Sequence, residues 1–233
     1  MVKIVSLKIC PFVQRITALL EAKNISYEIE YISLGNKPDW FLDISPNGQV
    51  PILITEMGSA LFESDAIAEY LDEISPPLEE DLTSEQRALN RAWSYLGSKH
   101  YLVQCSAMQS RDLDTLQERR KKLDPAFLKA EKKLKEGPFF NGKKIGNVDM
   151  AWLPLLHRAA IIEQHSAYDF LADFPKVKRW QRGLLDTGLC DKSVASDFED
   201  VFASGYLSKT TYLGGCREPQ DPINQEQQSA GCC

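Results

Sequence analysis

Strand patterning is confined to the first third of this chain, and that limits the fold more than any other feature. Residues 2–7, Val-Lys-Ile-Val-Ser-Leu, alternate loosely as a strand. Cys10-Pro11 then opens a helix, because proline is preorganised for the first helical position and forgoes an N–H that has no partner there. Phe12, Ile16, Leu19 and Leu20 follow at helical spacing, and Asn24, next to Lys23, ends the run. Residues 26–32 alternate as a second strand. Pro38 starts a short helix carrying Trp40, Phe41 and Leu42, and Ser45-Pro46-Asn47-Gly48 is a turn cluster. Val50-Pro51 opens a short buried strand, and Gly58 turns the chain into Ala60-Leu61-Phe62. Ser64 is expected to cap a helix whose apolar face is Ile67, Tyr70, Leu71 and Ile74. Alternating strands and helices in so short a stretch predict a compact mixed sheet with helices packed on it.

From Ser84 onward the strand signals vanish. One long helix is predicted over 84–109, a second over about 113–136 with a bend or break near Pro125, a third over about 147–163 and a fourth over 175–186 opened by Pro175. The reading is therefore an α+β chain: a sheet-containing domain at 1–75, a Pro- and acid-rich linker at 76–83, and an all-helical domain at 84–214. Residues 215–233 hold one aliphatic residue, Ile223, and are expected to bury too little to order themselves. Charge divides along the same line. Residues 1–75 hold 5 Lys+Arg against 11 Asp+Glu, whereas 84–233 hold 22 against 19.

The net charge of −6 argues against non-specific nucleic-acid binding and against a basic membrane face. No apolar run approaches the ~20 residues that span a bilayer. The first twelve residues show no apolar core ending in a small-residue cleavage site, so no signal peptide is expected. The cysteines stand at 10, 105, 190, 216, 232 and 233, without C-x-x-C spacing and without a histidine at metal-ligand distance. Neither a zinc site nor a disulfide scaffold is expected, and a reducing, cytoplasmic setting is the simplest reading. The terminal Cys232-Cys233 does not form a prenylation box, which would need cysteine at the position of Ala230.

Cys10 is the sharpest chemical candidate. A cysteine between a strand and a helix faces free backbone N–H groups and the positive end of the helix dipole, both of which favour a thiolate and hence a nucleophile at neutral pH. The bland alternative is a small buried apolar residue. Val13 stands where a second cysteine of a dithiol motif would be, so this is a monothiol site whose redox cycle needs an external thiol. Pro51 at the head of a strand suits either a cis bond presenting the main chain of Val50 to an extended ligand or an ordinary trans edge proline. Glu63-Ser64-Asp65 at a helix start offers an anion site or a plain cap. Lys37 is a carboxylate partner or a solvated loop residue, and Trp40 and Phe41 read as core. The run Arg119-Arg120-Lys121-Lys122 reads as a solvated helix face, Asp149 as a capping residue, and His100, His157 and His165 as scattered residues without a role.

Taken together, several segments resemble the glutathione transferases, in particular the cysteine-type branch with omega-class and dehydroascorbate-reductase members. They are Cys10-Pro11-Phe12-Val13-Gln14-Arg15, Asn36-Lys37-Pro38-Asp39-Trp40-Phe41, Gln49-Val50-Pro51, Glu63-Ser64-Asp65-Ala66-Ile67 and Ala68-Glu69-Tyr70-Leu71-Asp72-Glu73, in family order and spacing. The resemblance implies a thioredoxin-like domain followed by an all-α one, with glutathione as co-substrate bound across their junction and no metal. It further implies that Cys10 forms a mixed disulfide with glutathione. Phe12 would wall the pocket, Val50 beside a cis Pro51 would pair main chain with the cysteinyl unit, Glu63 and Ser64 would hold the γ-glutamyl end, and Lys37 would neutralise the glycyl carboxylate or a neighbouring part. A homodimer is implied as well. One departure stands out: the family places Ser or Thr three residues before the Asp that opens the central helix of the second domain, and here Gly146 precedes Asp149.

The function so implied is glutathione-dependent thiol transfer or reduction of a small oxidised, glutathionylated or electrophilic substrate, dehydroascorbate among the candidates, with weak conjugation. The competing expectation is a non-catalytic binding protein on the same fold, of the stringent-starvation or intracellular chloride-channel-like kind. Retention of Cys10, Val50-Pro51, Glu63 and Ser64 together favours the enzyme.

Overall fold

A computed structural model describes residues 1–33 and 35–215. The expectations for residues 216–233, and for Cys216, Cys232 and Cys233, lie outside the described residues.

The sheet has four strands in the order β2-β1-β3-β4. β1 is Val2–Ser6, β2 Tyr27–Tyr31, β3 Ile52–Ile54 and β4 Ala60–Leu61. β1 pairs in parallel with β2, Ile4 opposite Ile29, and antiparallel with β3, Ile4 opposite Leu53. The parallel pair needs a crossover, which α1 (Pro11–Ala22) supplies. Ile4, Val5, Ile52 and Leu53 are buried on the sheet side, and Val13, Ile16, Leu19 and Leu20 on the helix side. α2 is Asp39–Ile44, with Pro38 outside it as N-cap. α3 is Ser64–Glu73 and packs beside α1.

The helical part comprises α4 (Ser84–Ser98), α5 (Tyr101–Met108), α6 (Leu113–Lys133), α7 (Asn147–Ser166), α8 (Pro175–Asp186), α9 (Leu189–Lys192) and α10 (Phe198–Tyr206). The single helix expected over 84–109 is two helices, because the chain turns at Lys99-His100 and Lys99 bonds back to Tyr95 and Gly97. Conversely, α6 runs on through Pro125. Apolar spacing is blind to both outcomes, since a short reset keeps the same face inward.

α7 is the axis of the molecule. It is buried on nearly every side, as a helix packed all round must be, and it contacts both α1 and α4. Asp149, near its start, is 1% exposed, and its carboxylate accepts from Gly146 N at 2.8 Å, Phe140 N at 2.9 Å and Trp180 Nε1 at 2.6 Å. It therefore ties together the loop before α7, the helix start and α8. At the absent Ser/Thr position, a Cβ on Gly146 would lie 2.2 Å from Oε2 of Glu79, so a side chain there would require the end of Glu79 to shift. That linker carboxylate is held by Asn90 Nδ2 at 3.0 Å and Asn141 Nδ2 at 2.9 Å.

Candidate active site

The turn from β1 into α1 sets the first chemical group. Cys10 is the N-cap of α1, extended at φ −72° and ψ 122°, with Pro11 in the first turn. Its N–H donates to Leu7 O at 3.1 Å and its carbonyl accepts from Gln14 N at 3.1 Å. The residue is 4% exposed. Its sulfur is disulfide-bonded in this structure, which the motif spacing alone had not suggested. Cys105 and Cys190 are buried. Burial, with Asp191 adding to it, pushes the Cys190 thiol up to about 12, so it is inert at neutral pH.

Next to this turn lies a pocket of about 120 Å³. Phe12 from α1, Val50 and Pro51 ahead of β3, and Glu63 and Ser64 at the start of α3 line it together. Five of the residues singled out from sequence thus converge from three separate segments. The Val50-Pro51 bond is cis. Lys37 is not in the wall; its Nζ donates to Gly48 O at 2.8 Å, beside the lining residue Gln49.

Sequence reasoning placed the α3 cap one residue late. Glu63 is the N-cap, at φ 64°, and Ser64 is the first helical residue, 5% exposed. A non-glycine residue in the left-handed region turns the chain sharply here, so that Glu63 and Ser64 both face the cavity. Asn47 Nδ2 donates to Glu63 Oε1 at 3.2 Å and also lines the pocket. Arg15, buried on α1, forms an ion pair with Asp65 on the first turn of α3, locking the two helix starts together. Ser45, Asn47, Gln49, Phe62 and Leu102 complete the wall and were not foreseen as site residues. The turn at Ser45–Gly48 was visible, but not that it folds over the cavity. Phe62 and Leu102 are exposed apolar side chains, and Leu102 comes from α5 of the helical part. Phe12 is anchored edge-on against Tyr101, ring centroids 5.0 Å apart.

A larger cleft of about 180 Å³ opens between α3 and α4. Its walls carry Glu69, Asp72, Arg91 and Tyr95 and none of the residues argued above for chemistry. Arg91 and Tyr95 are both spent on Glu69, at 2.9 and 2.7 Å.

Comparison with known proteins fits this geometry. The family model described as glutathione S-transferase, N-terminal domain, matches residues 9–74, and the corresponding C-terminal domain matches residues 114–182. Rat glutathione S-transferase omega-1 is 31% identical over 205 residues, 86% of this chain and 81% of the relative. The chain belongs to the glutathione S-transferase family. A second family relative, rice probable glutathione S-transferase DHAR1, cytosolic, is 33% identical over 157 residues, covering 67% of this chain and 70% of the relative. Among solved structures of the family, glutathione transferase Omega 3C from Trametes versicolor superposes with a TM-score of 0.71 at 24% identity, over 84% of this chain and 89% of that one. Rice GST1, solved in complex with glutathione, gives 0.73 at 23% identity, over 88% and 98%. These two likenesses establish the shared fold: a thioredoxin-like sheet domain and a helical domain. Among the described residues no helix is long and apolar enough to cross a membrane.

Proposed function

We propose that this protein is an omega-like, glutathione-dependent thiol transferase and reductase in which Cys10 is the nucleophile. The observation that carries the reading is the seat of Cys10: the N-cap of α1, one turn from a pocket that collects Phe12, Val50, Pro51, Glu63 and Ser64. At a helix N-terminus the free N–H groups of the first turn and the helix dipole stabilise a thiolate.

In the reduced protein, the Cys10 thiolate attacks the glutathionyl sulfur of a mixed disulfide. The Cys10–S–S–glutathione bond forms, the substrate disulfide breaks, and the substrate thiolate leaves and takes a proton from water. A second glutathione thiolate then attacks the glutathionyl sulfur on Cys10, releasing glutathione disulfide and regenerating the Cys10 thiolate. Each exchange conserves electrons: one free glutathione is consumed per turn, and the disulfide of the substrate passes to glutathione disulfide. Glu63 and Ser64 hold the γ-glutamyl end, where the N-terminus of α3 suits its carboxylate. Val50 pairs with the cysteinyl main chain, Phe12 walls the site, and Lys37, beside Gly48, meets the glycyl carboxylate. The exposed apolar Phe62 and Leu102 face the second substrate. Conjugation is weak, because it needs bound glutathione as a free thiolate, whereas a Cys10 that has taken a glutathionyl group from a mixed disulfide holds the site as Cys10–S–S–glutathione.

We read 1–75 and 84–214 as the two domains, joined by 76–83, and a homodimer in the cytoplasm as the working form; the rice relative's name carries the word cytosolic. Dehydroascorbate and glutathionylated peptides are the substrates to assay first. Wild-type turnover of either that vanishes in Cys10→Ser supports the reading; full turnover in Cys10→Ser overturns it.

A further inference from the structure

Arg158 lies on α7, in the helical part of the molecule, and is 0% exposed. Its Nη2 donates to Ile9 O at 3.0 Å, the carbonyl of the peptide whose nitrogen belongs to Cys10. Its Nη1 donates to Gln14 Oε1, one turn further along α1, and to Pro154 O at 3.1 Å. Gln14 is held in turn: its Nε2 bonds His157 Nδ1 at 2.8 Å and Ser193 Oγ at 3.3 Å. The guanidinium also sits 5.5 Å from the centroid of the Phe198 ring.

We propose that Arg158 is a positioning residue for Cys10: it pins the Ile9–Cys10 peptide and the first turn of α1 to the helical domain, and its charge favours the thiolate. The inference deepens the reading of Cys10 as nucleophile and rests on it. Two physical effects support it. A guanidinium that takes up a lone pair of the Ile9 carbonyl offsets part of the negative charge on the peptide that adjoins Cys10. A fixed positive charge held away from water also acts at longer range than the same charge at the surface. A planar fork that reaches two acceptors at once is needed, which arginine has and lysine lacks.

Other ionisable groups lie on this turn and on the elements around it. Arg15 lies on α1 and Asp65 on α3, joined as an ion pair. Lys8 pairs with Asp197 at the start of α10. Tyr101 of α5 abuts Phe12. Glu63 lines the adjoining pocket. Cys190 and Asp191 lie on α9. His157 is kept neutral by its surroundings, its pKa pushed down to about 3 by burial and by Arg158. The first pair is self-compensating, as is the second. Arg158 donates to the carbonyl of the Ile9–Cys10 peptide.

The test is the pH dependence of Cys10 alkylation by iodoacetamide in fully reduced protein, read by peptide mass, for wild type, Arg158→Gln and Arg158→Lys. The wild-type midpoint is expected well below the ~8.5 of an ordinary thiol. Arg158→Gln should move it up by about one pH unit, a tenfold loss of thiolate at neutral pH, with turnover falling in parallel and partly recovering in alkaline buffer. The KM for glutathione should stay within about twofold, since the residue does not line the pocket. Arg158→Lys should shift the midpoint upward by a smaller, resolvable amount, and it decides the matter if Arg158→Gln does not fold. A folded variant that alkylates with the wild-type profile overturns the inference alone. An ordinary midpoint in wild type overturns the reading of Cys10, and the inference with it.

Discussion

The side-chain amide of Asn47 donates to the carboxylate of Glu63 across 3.2 Å, joining the turn before the cis Val50-Pro51 bond to the start of α3. The bond spans the wall where the γ-glutamyl end of glutathione is proposed to sit. Glu63 itself adopts φ 64°, a backbone conformation uncommon for side-chain-bearing residues. Asn47→Ala is expected to raise the KM for glutathione about three- to tenfold, the worth of one hydrogen bond of about 1 kcal/mol, with kcat within about twofold. Steady-state kinetics with glutathione as varied substrate checks this. A fall in kcat at unchanged KM would place Asn47 in the chemistry instead.

The buried Asp149 and His157 give opposite pH dependences of stability. Burial, the largest effect, pushes the Asp149 carboxyl up to about 7 from 3.8, against the pull of its three donors. A carboxyl raised in the folded state binds its proton more tightly there. Its contribution is complete below about 4 and is lost as pH rises to about 7. His157 is the reverse, depressed to about 3 from 6.5, so its contribution is complete above about 6.5 and is lost as pH falls toward 3. The two slopes offset across the shared window. Urea unfolding as a function of pH should show Asp149→Asn gaining stability with rising pH more steeply than wild type between about 4 and 7. His157→Gln, which keeps an acceptor for Gln14, should gain less than wild type between about 3 and 6.5. Three parallel curves would contradict both assignments.

Removing the Asp149 side chain altogether is a separate matter of hydrogen bonding. Asp149→Ala strands the N–H groups of Phe140, Gly146 and Trp180, all directed at one buried carboxylate. Unsatisfied buried donors cost about 1–3 kcal/mol each and are not additive, so a loss of about 3–5 kcal/mol is expected in denaturant unfolding. A loss below about 1 kcal/mol would mean that water replaces the carboxylate.

Close approach of α8 to the loop before α7 predicts a third stability effect. A Cβ on Gly183 would lie 2.4 Å from the backbone carbonyl oxygen of Pro138. Backbone cannot swing aside as a side chain does, so Gly183→Ala should cost about 1–3 kcal/mol despite alanine's better helix propensity. A urea midpoint at or above that of wild type would show that the two segments separate freely.

These cases mark what the sequence does and does not disclose. Residues 1–75 carry strand and helix signals of different period, and proline or glycine at the turns, so β1, α1 and β3 are legible nearly to the residue. The seat of Cys10 at the start of α1 was legible because it is local: strand, cysteine, proline, helix. Glu63 as cap was not, because a positive φ at a glutamate runs against the residue's own preferences and leaves no local signal. Leu102 was read as one face of a single long helix, and only the turn at Lys99-His100 brings α5 over the pocket. His157 looked scattered for the same reason. Its partner Gln14 is 143 residues away, and no local pattern records that distance. Gly146 looked like a defect in a capping box, yet Glu79 of the linker fills the space where a side chain would go.

The central claim is that Cys10 is the redox nucleophile. Intact-mass analysis of reduced protein after incubation with glutathione disulfide, wild type beside Cys10→Ala across a pH series, tests it most directly. A single glutathione adduct that forms well below pH ~8.5 and is absent from the variant is the predicted result. Adducts that persist in Cys10→Ala at the wild-type rate, with Cys10 unmodified in the parent, would contradict it.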